Sequence, residues 1–153
     1  MNPAAQPGER CASDPLAHLP DAIRRAIEIT PAAGTRDRIV DITTTGRRTG
    51  RPRRIEIFFY RANGATYLCS GAGGGATSWY ANLRANPAFT FHLKNGISAD
   101  LPAHATTVTD PAERAAVIAA IVDDLNQPHD PGTIRPTHRD DWADSRLMRI
   151  EFD

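Results

Sequence analysis

The chain has 153 residues, with 18 Lys+Arg set against 18 Asp+Glu, so its formal net charge is zero. That length suits one domain with one sizeable core, and the charge balance argues against general attraction to nucleic acid or to a membrane surface. No stretch approaches the ~20 apolar residues of a membrane span, the start lacks the basic-then-apolar order of a secretory leader, and Cys11 and Cys69 make no disulfide framework. The expectation is a cytoplasmic protein.

Residues 1–12 read as a tail, leaving 13–153 as a single domain. Ser13 as N-cap and Pro15 in the first turn predict either one helix to about Ile29 or two short pieces split at Pro20. Pro31 and Gly34 mark a loop. Strand signals begin at Arg38: "RIVDITTT" is β-branched almost throughout, and "RRIEIFFYR" alternates Ile55, Ile57 and Phe59 against Arg54, Glu56, Phe58 and Tyr60. "GRRTGRP" between them makes a hairpin with arginines at its tip. "RANG" turns into a returning strand, "ATYLCS".

The glycine-rich run from Gly71 to Gly75 is too flexible for regular structure. "TSWYANLRANP" reads as a short helix capped by Thr77 or Ser78 and stopped at Asn86-Pro87. A third hairpin turns at Asn95-Gly96 with Phe89, Phe91 and Leu93 on one face, and His92 on the other face reads as solvent-facing. Asp110 caps a helix with Pro111 at its first position and Ala115, Ile118, Val122 and Leu125 as its apolar stripe. Asn126 to Ser145 is irregular, and its His129, His138, Asp130, Asp140 and Asp141 match no metal-ligand spacing. "RLMRIEF" closes the chain as a strand, with Leu147, Arg149 and Glu151 opposite Met148, Ile150 and Phe152. Successive hairpins with two or three helices predict an α+β fold, a small antiparallel barrel of about six strands that the last strand closes.

Five arginines (Arg47, Arg48, Arg51, Arg53 and Arg54) fall within eight positions, although arginine is this chain's general basic residue and Lys94 its single lysine. A solvated turn is one reading of them. The other is an anion cradle, in which glycines let backbone N–H groups converge while arginine forks bind phosphate or carboxylate. The glycine run, set between a strand and a helix N-terminus, could likewise receive an anion or a flat ring, or simply connect the two elements. Trp79 and Tyr80 on a short helix read as core before ligand contacts. No nucleophile elbow or Cys/His pairing stands out.

"ITTTGRRTGRPRR", a strand pair, a glycine-rich loop and then "WYANLRANPAFTFHL" resemble, in that order, the deazaflavin-dependent nitroreductase family of split-barrel flavin-binding-like proteins, typical of actinobacteria. The resemblance spans about Ile39 to Val108. It implies binding of coenzyme F-420, whose tail carries a phosphodiester and glutamates, and hydride transfer to an electron-poor small molecule such as a quinone, enone or nitro compound. By the same resemblance Arg47, Arg48, Thr49 and Arg53 would hold the tail and Gly50 would permit the turn. The ring would lie along Ile55, Ile57 and Phe58 and the strand end at Cys69, Ser70, Gly71 and Ala72, with Trp79 as a wall. An N-terminal segment, Asp14 to Thr35, would form a helix or lid near the ring, with no firm membrane association and with monomer or homodimer both open.

Three features depart from the family pattern, one being that the substrate-side tyrosines usual near the C-terminus are absent and His129, His138 and Trp142 stand in that region. Cys69-Ser70-Gly71-Ala72 stands where Ser-Lys-Gly-Gly is usual, so Arg51 or Arg54 would supply the missing cation, and Glu56 stands where proline is usual. These departures keep alternatives in view. One is a barrel that has lost its coenzyme and uses Glu56, in an apolar pocket, as general base for a redox-neutral isomerisation or cyclisation. The others are a small-ligand-binding protein and an FMN enzyme.

Overall fold

The structure, a computed structural model, describes residues 14–29, 35–71, 78–126 and 138–153. Six strands, β1 (Ile39–Thr45), β2 (Pro52–Ala62), β3 (Ala65–Cys69), β4 (Ala88–Leu93), β5 (Ala99–Thr107) and β6 (Leu147–Phe152), form a closed barrel in the order β1-β2-β3-β6-β5-β4. Every neighbouring pair is antiparallel. With the helices α1 (Asp21–Ile27), α2 (Ser78–Ala85) and α3 (Pro111–Leu125) this is the expected α+β barrel. The last strand does its part from the middle: β6 lies between β3 and β5 and gives each a partner. The remaining seam joins β1 to β4 over only three residue pairs.

Alternation along each strand sorts side chains into two cores. Val40, Ile42, Phe59, Leu68, Phe91, Met148, Ile150 and Phe152 fill the barrel, with Phe91 edge-on to both Phe59 and Phe152. The opposite faces of β2, β3 and β6 present Tyr60, Tyr67, Cys69 and Leu147 to helix α3. Asp110 Oδ2 accepts the Glu113 N–H and Pro111 opens α3, as expected. The buried stripe, however, is Val117, Ile118, Ile121 and Val122, while Ala115 is exposed and Leu125 half-buried. The helix is rolled so that Arg114, one residue from Ala115, reaches the carbonyls of Ala143 and Ser145.

The two ends of the barrel differ. Asn63 and Gly64 both take left-handed backbone angles, as a two-residue β2–β3 turn requires. Glu28, Ile29, Arg61, Asn63 and Gly64 line one cleft there, and His18 Nε2 lies 3.1 Å from the Asp153 carbonyl. The N-terminal segment therefore plugs the end opposite the arginine turn, with Leu16 and Ile27 almost wholly buried among the barrel core. The segment expected as a lid thus packs away from the arginine turn. Of the two readings of this segment, one long helix or two pieces split at Pro20, the long helix is ruled out, because α1 begins only after Pro20, which lacks the N–H that a helix continuing through it would need. Ser13, Cys11 and the tail 1–12 lie outside the described residues.

His92 corrects another expectation. It points away from the barrel interior, as alternation predicts, yet it is 7% exposed. Neighbouring strands crowd it, and its ring nitrogens lie 2.7 Å from Thr43 Oγ1 on β1 and 2.7 Å from Asp100 Oδ1 on β5.

Candidate functional site

The β1–β2 turn is shaped by two glycines with different reasons. Gly50 sits at φ +69°, a left-handed angle that strains other residues. At Gly46 a Cβ would fall 2.9 Å from Thr49 Oγ1 and 3.2 Å from the Arg51 carbonyl, so the tight return of the chain leaves no room for one. The turn closes through Gly46 N–H to the Arg51 carbonyl and Gly50 N–H to the Gly46 carbonyl. Beneath it opens a cleft of about 220 Å³ lined by Gly46, Arg47, Arg48, Thr49, Arg53, Ser78 and Asn82. Among the described residues no carboxylate pairs with Arg47, Arg48, Arg51 or Arg53. Four guanidiniums within seven positions thus stand without a carboxylate partner among the described residues, an arrangement compatible with an oligo-anion ligand and with a solvated turn alike.

Strand register divides the arginines. Arg53 lies on one face of β2, while Arg54 and Glu56 lie on the other, opposite Thr43 and Asp41 of β1. Arg54 Nε is 2.9 Å from Asp41 Oδ2, and Lys94 pairs with both Asp41 and Glu56. Arg54 is thus engaged with Asp41 on the face of β2 opposite Arg53. Glu56 is 60% exposed and ion-paired, so the apolar surroundings that a general base there requires are not present.

A second cleft, of about 410 Å³, is lined by Ile55, Glu56, Ile57, Phe58, Tyr60, Cys69, Ser70 and Trp79. Residues from both faces of β2 can line one cleft because β3 leaves it there. β2 pairs with β3 only over Phe59–Ala62, and its first half pairs with β1 alone. The free edge exposes backbone N–H and C=O groups. It also exposes Ile55 (37%) and Phe58 (38%), the two large apolar side chains left open among the described residues. An apolar slot with a polar edge suits a flat heteroaromatic ring.

The far wall is held by hydroxyls. Ser145 Oγ lies 2.8 Å from Cys69 Sγ and 3.1 Å from the Gly71 carbonyl, to which it donates, and Ser70 Oγ accepts the Arg146 N–H at 2.8 Å. Burial pushes the Cys69 thiol up from its ordinary range, and burial also raises the Tyr60 phenol. Neither group offers an ionised nucleophile at neutral pH. Among the described residues the wall is apolar and hydrogen-bonding, with Glu56 at the rim as its charged group.

The sequence-derived residues therefore fall into two adjoining clefts. Arg47, Arg48, Thr49 and Arg53 gather in the first, and Ile55, Ile57, Phe58, Cys69, Ser70 and Trp79 in the second. Gly50 shapes the turn and Gly71 follows the strand end at φ +80°. Ala72 and the rest of the glycine run lie outside the described residues, as do His129 and Asp130. Helix α2 joins the clefts, since Ser78 lines one and the next residue, Trp79, lines the other. Sequence reasoning missed Ser78 and Asn82 as site residues. Their signal was available: they stand four apart, on one face of a short helix, and a buried Asn in a helix interior needs a polar reason.

The chain matches the family described as F420H(2)-dependent quinone reductase over residues 28–129. Among solved structures, a conserved hypothetical protein from Mycobacterium tuberculosis aligns with TM-score 0.55 at 17% identity, covering 86% of this chain and 79% of that one. The heme storage protein HutZ of Vibrio cholerae aligns with TM-score 0.53 at 17% identity over 76% and 82% of the two chains. A FAD-binding protein of Mesorhizobium loti gives 0.52 at 13% identity over 88% and 91%. These likenesses show the barrel fold alone, and heme and FAD in the names of two such proteins show that this fold does not fix the ligand.

Proposed function

Because the chain belongs to the F420H(2)-dependent quinone reductase family, an oxidoreductase family that uses a deazaflavin coenzyme, we propose that it reduces electron-poor small molecules (quinones, enones or nitro compounds) across the open edge of β2. The observation that carries the reading is the adjoining pair of clefts, one bearing unpaired guanidiniums and one apolar with a polar strand edge. The chemistry of both donor sets fits the coenzyme's anionic tail and flat ring. Arg47, Arg48, Thr49 and Arg53 would hold phosphodiester and carboxylates through charge-assisted bonds. Ile55, Ile57, Phe58 and Trp79 would sandwich the ring, with the free backbone of β2 recognising its polar edge.

When bound, the reduced coenzyme supplies the hydride and the acceptor takes it. The protein's residues would hold and orient the coenzyme. Phe58 and Ile55 lose their exposed surface to the ring, about 25 cal/mol per Å². The Ser145 hydroxyl pins the end of β3, so that the ring slot has fixed width. No protein carboxylate or imidazole is required as acid, since the proton that completes reduction of the acceptor comes from water at the open side.

The test is titration of the protein with oxidised coenzyme F-420, followed by ring fluorescence or calorimetry, and then turnover of the reduced coenzyme against a panel of quinones, enones and nitroarenes. Low-micromolar binding with turnover of at least one acceptor class is expected. Failure to bind at high-micromolar concentration would remove the reading.

A further inference from the structure

Asn82 occupies an unusual place. It is 5% exposed in the interior of the eight-residue helix α2, where asparagine is a poor helix former because its amide competes for backbone hydrogen bonds. Here the amide is committed elsewhere. Asn82 Oδ1 accepts the Arg47 backbone N–H at 3.1 Å and Arg47 Nη1–H at 2.9 Å, and Nδ2 donates to Thr44 Oγ1 at 3.2 Å. The amide orientation is forced, because a flipped amide would set N–H against the two donors of Arg47.

From this geometry we infer that Asn82 is a positioning residue: its neutral amide presets the backbone and guanidinium of Arg47 without cancelling the charge, which stays available to the anionic tail of the coenzyme. The inference rests on the deazaflavin reading and adds to it the device that keeps the cradle both ordered and cationic. One oxygen uses both lone pairs on a single arginine, so the direction of the chain entering the turn and the direction of the side chain are fixed together. Thr44, the residue facing the barrel just before the turn, anchors the other side of the amide. An aspartate of the same shape would grip the guanidinium more strongly, but it would neutralise it and would lose the donor to Thr44. Order in the absence of ligand lowers the entropic cost of binding; a carboxylate would give the order and remove the reason for it.

The experiment is a double-mutant cycle on the full chain: wild type, Asn82→Asp, Arg47→Gln and the double variant, each titrated with oxidised coenzyme at low and high salt, with Tm measured alongside. Asn82→Asp should bind about tenfold more weakly, with a flatter salt dependence and Tm within about 2 °C of wild type. In the Arg47→Gln background the same substitution should change affinity by less than about twofold, because its effect passes through Arg47. Unchanged affinity in Asn82→Asp overturns the inference, and so does an equal loss with Arg47 absent. If Asn82→Asp melts earlier, the cycle measured below its transition decides between these results in the same way. Should wild type fail to bind the coenzyme, the deazaflavin reading falls on its own. The four proteins titrated with inorganic pyrophosphate would then still show whether Asn82 governs anion binding through Arg47.

Discussion

At the plugged end of the barrel Arg38 is 2% exposed and its Nη2 lies 2.7 Å from Asp124 Oδ2, while at the open end Arg47, Arg48, Arg51 and Arg53 pair with no carboxylate among the described residues. The same side chain does opposite work in the two places. A buried ion pair gains little over an apolar pair of the same shape, because desolvation offsets attraction, yet losing one partner leaves a charge stranded. An exposed cation costs the fold almost nothing, and it keeps its whole charge for a ligand. The plugged end should therefore answer to stability measurements and the open end to binding measurements.

The comparison is most easily broken at Arg38. Arg38→Ala should cost about 2–3 kcal/mol in denaturant unfolding, since the buried Arg38 site is emptied and the part-buried Asp124 loses its cation. Coenzyme affinity per folded molecule should stay as in wild type. A loss below about 1 kcal/mol would mean that Asp124 finds water or another donor, and the contrast between the ends would be one of exposure only. The converse variant, Arg47→Ala/Arg48→Ala, should weaken coenzyme binding by about 100-fold, the value of two charge-assisted bonds. Its unfolding free energy should remain within about 0.5 kcal/mol of wild type.

Adjacent positions on β2 sharpen the point within one strand. Phe59 is fully buried among the barrel aromatics and Phe58 is 38% exposed beside the free edge. Phe58→Ala should raise the coenzyme dissociation constant about tenfold through lost stacking surface, with little change in Tm. A large drop in Tm with unchanged affinity would place Phe58 in the fold's service and would move the ring elsewhere.

Much of this was readable in the chain and some of it was not. Asp110-Pro111 specified the start of α3 because cap and N1 chemistry are local. The three hairpins followed from alternation with Gly or Pro between the strands. Alternation gives the side a residue faces but not what stands there. His92 faces outward and is nevertheless buried, since Thr43 comes from a strand distant in sequence and Asp100 from the next strand of its own hairpin. Glu56 is likewise on the polar face, but Lys94, thirty-eight residues away, makes its setting ionic. The two-cleft site was legible as residue types on either side of one strand. That those residues share an opening depends on where β3 ends, a fact of register that no local pattern carries.

Arg54 offers the smallest test and the one that bears most directly on register. One residue from Arg53, it lies on the outer wall with Asp41, whose carboxyl the Lys94 hydrogen bond, helped by Arg54, holds below its ordinary value of 3.8 against the opposing effect of burial. With the folded value lowered, the unfolded chain takes up the proton first as pH falls. The pair's contribution is therefore complete above about pH 4 and disappears as pH drops through the folded value. Asp41→Asn should cost up to about 1 kcal/mol at pH 7, less in high salt, and progressively less as pH falls below about 4, as read from urea unfolding at each pH. Because this lattice lies on the outer wall, Arg54→Ala should leave coenzyme affinity unchanged while Arg53→Ala weakens it several-fold. Equal losses from the two would mean that the tail wraps over the edge of the strand and reaches both faces, and the division of the five arginines by register would fail at that point.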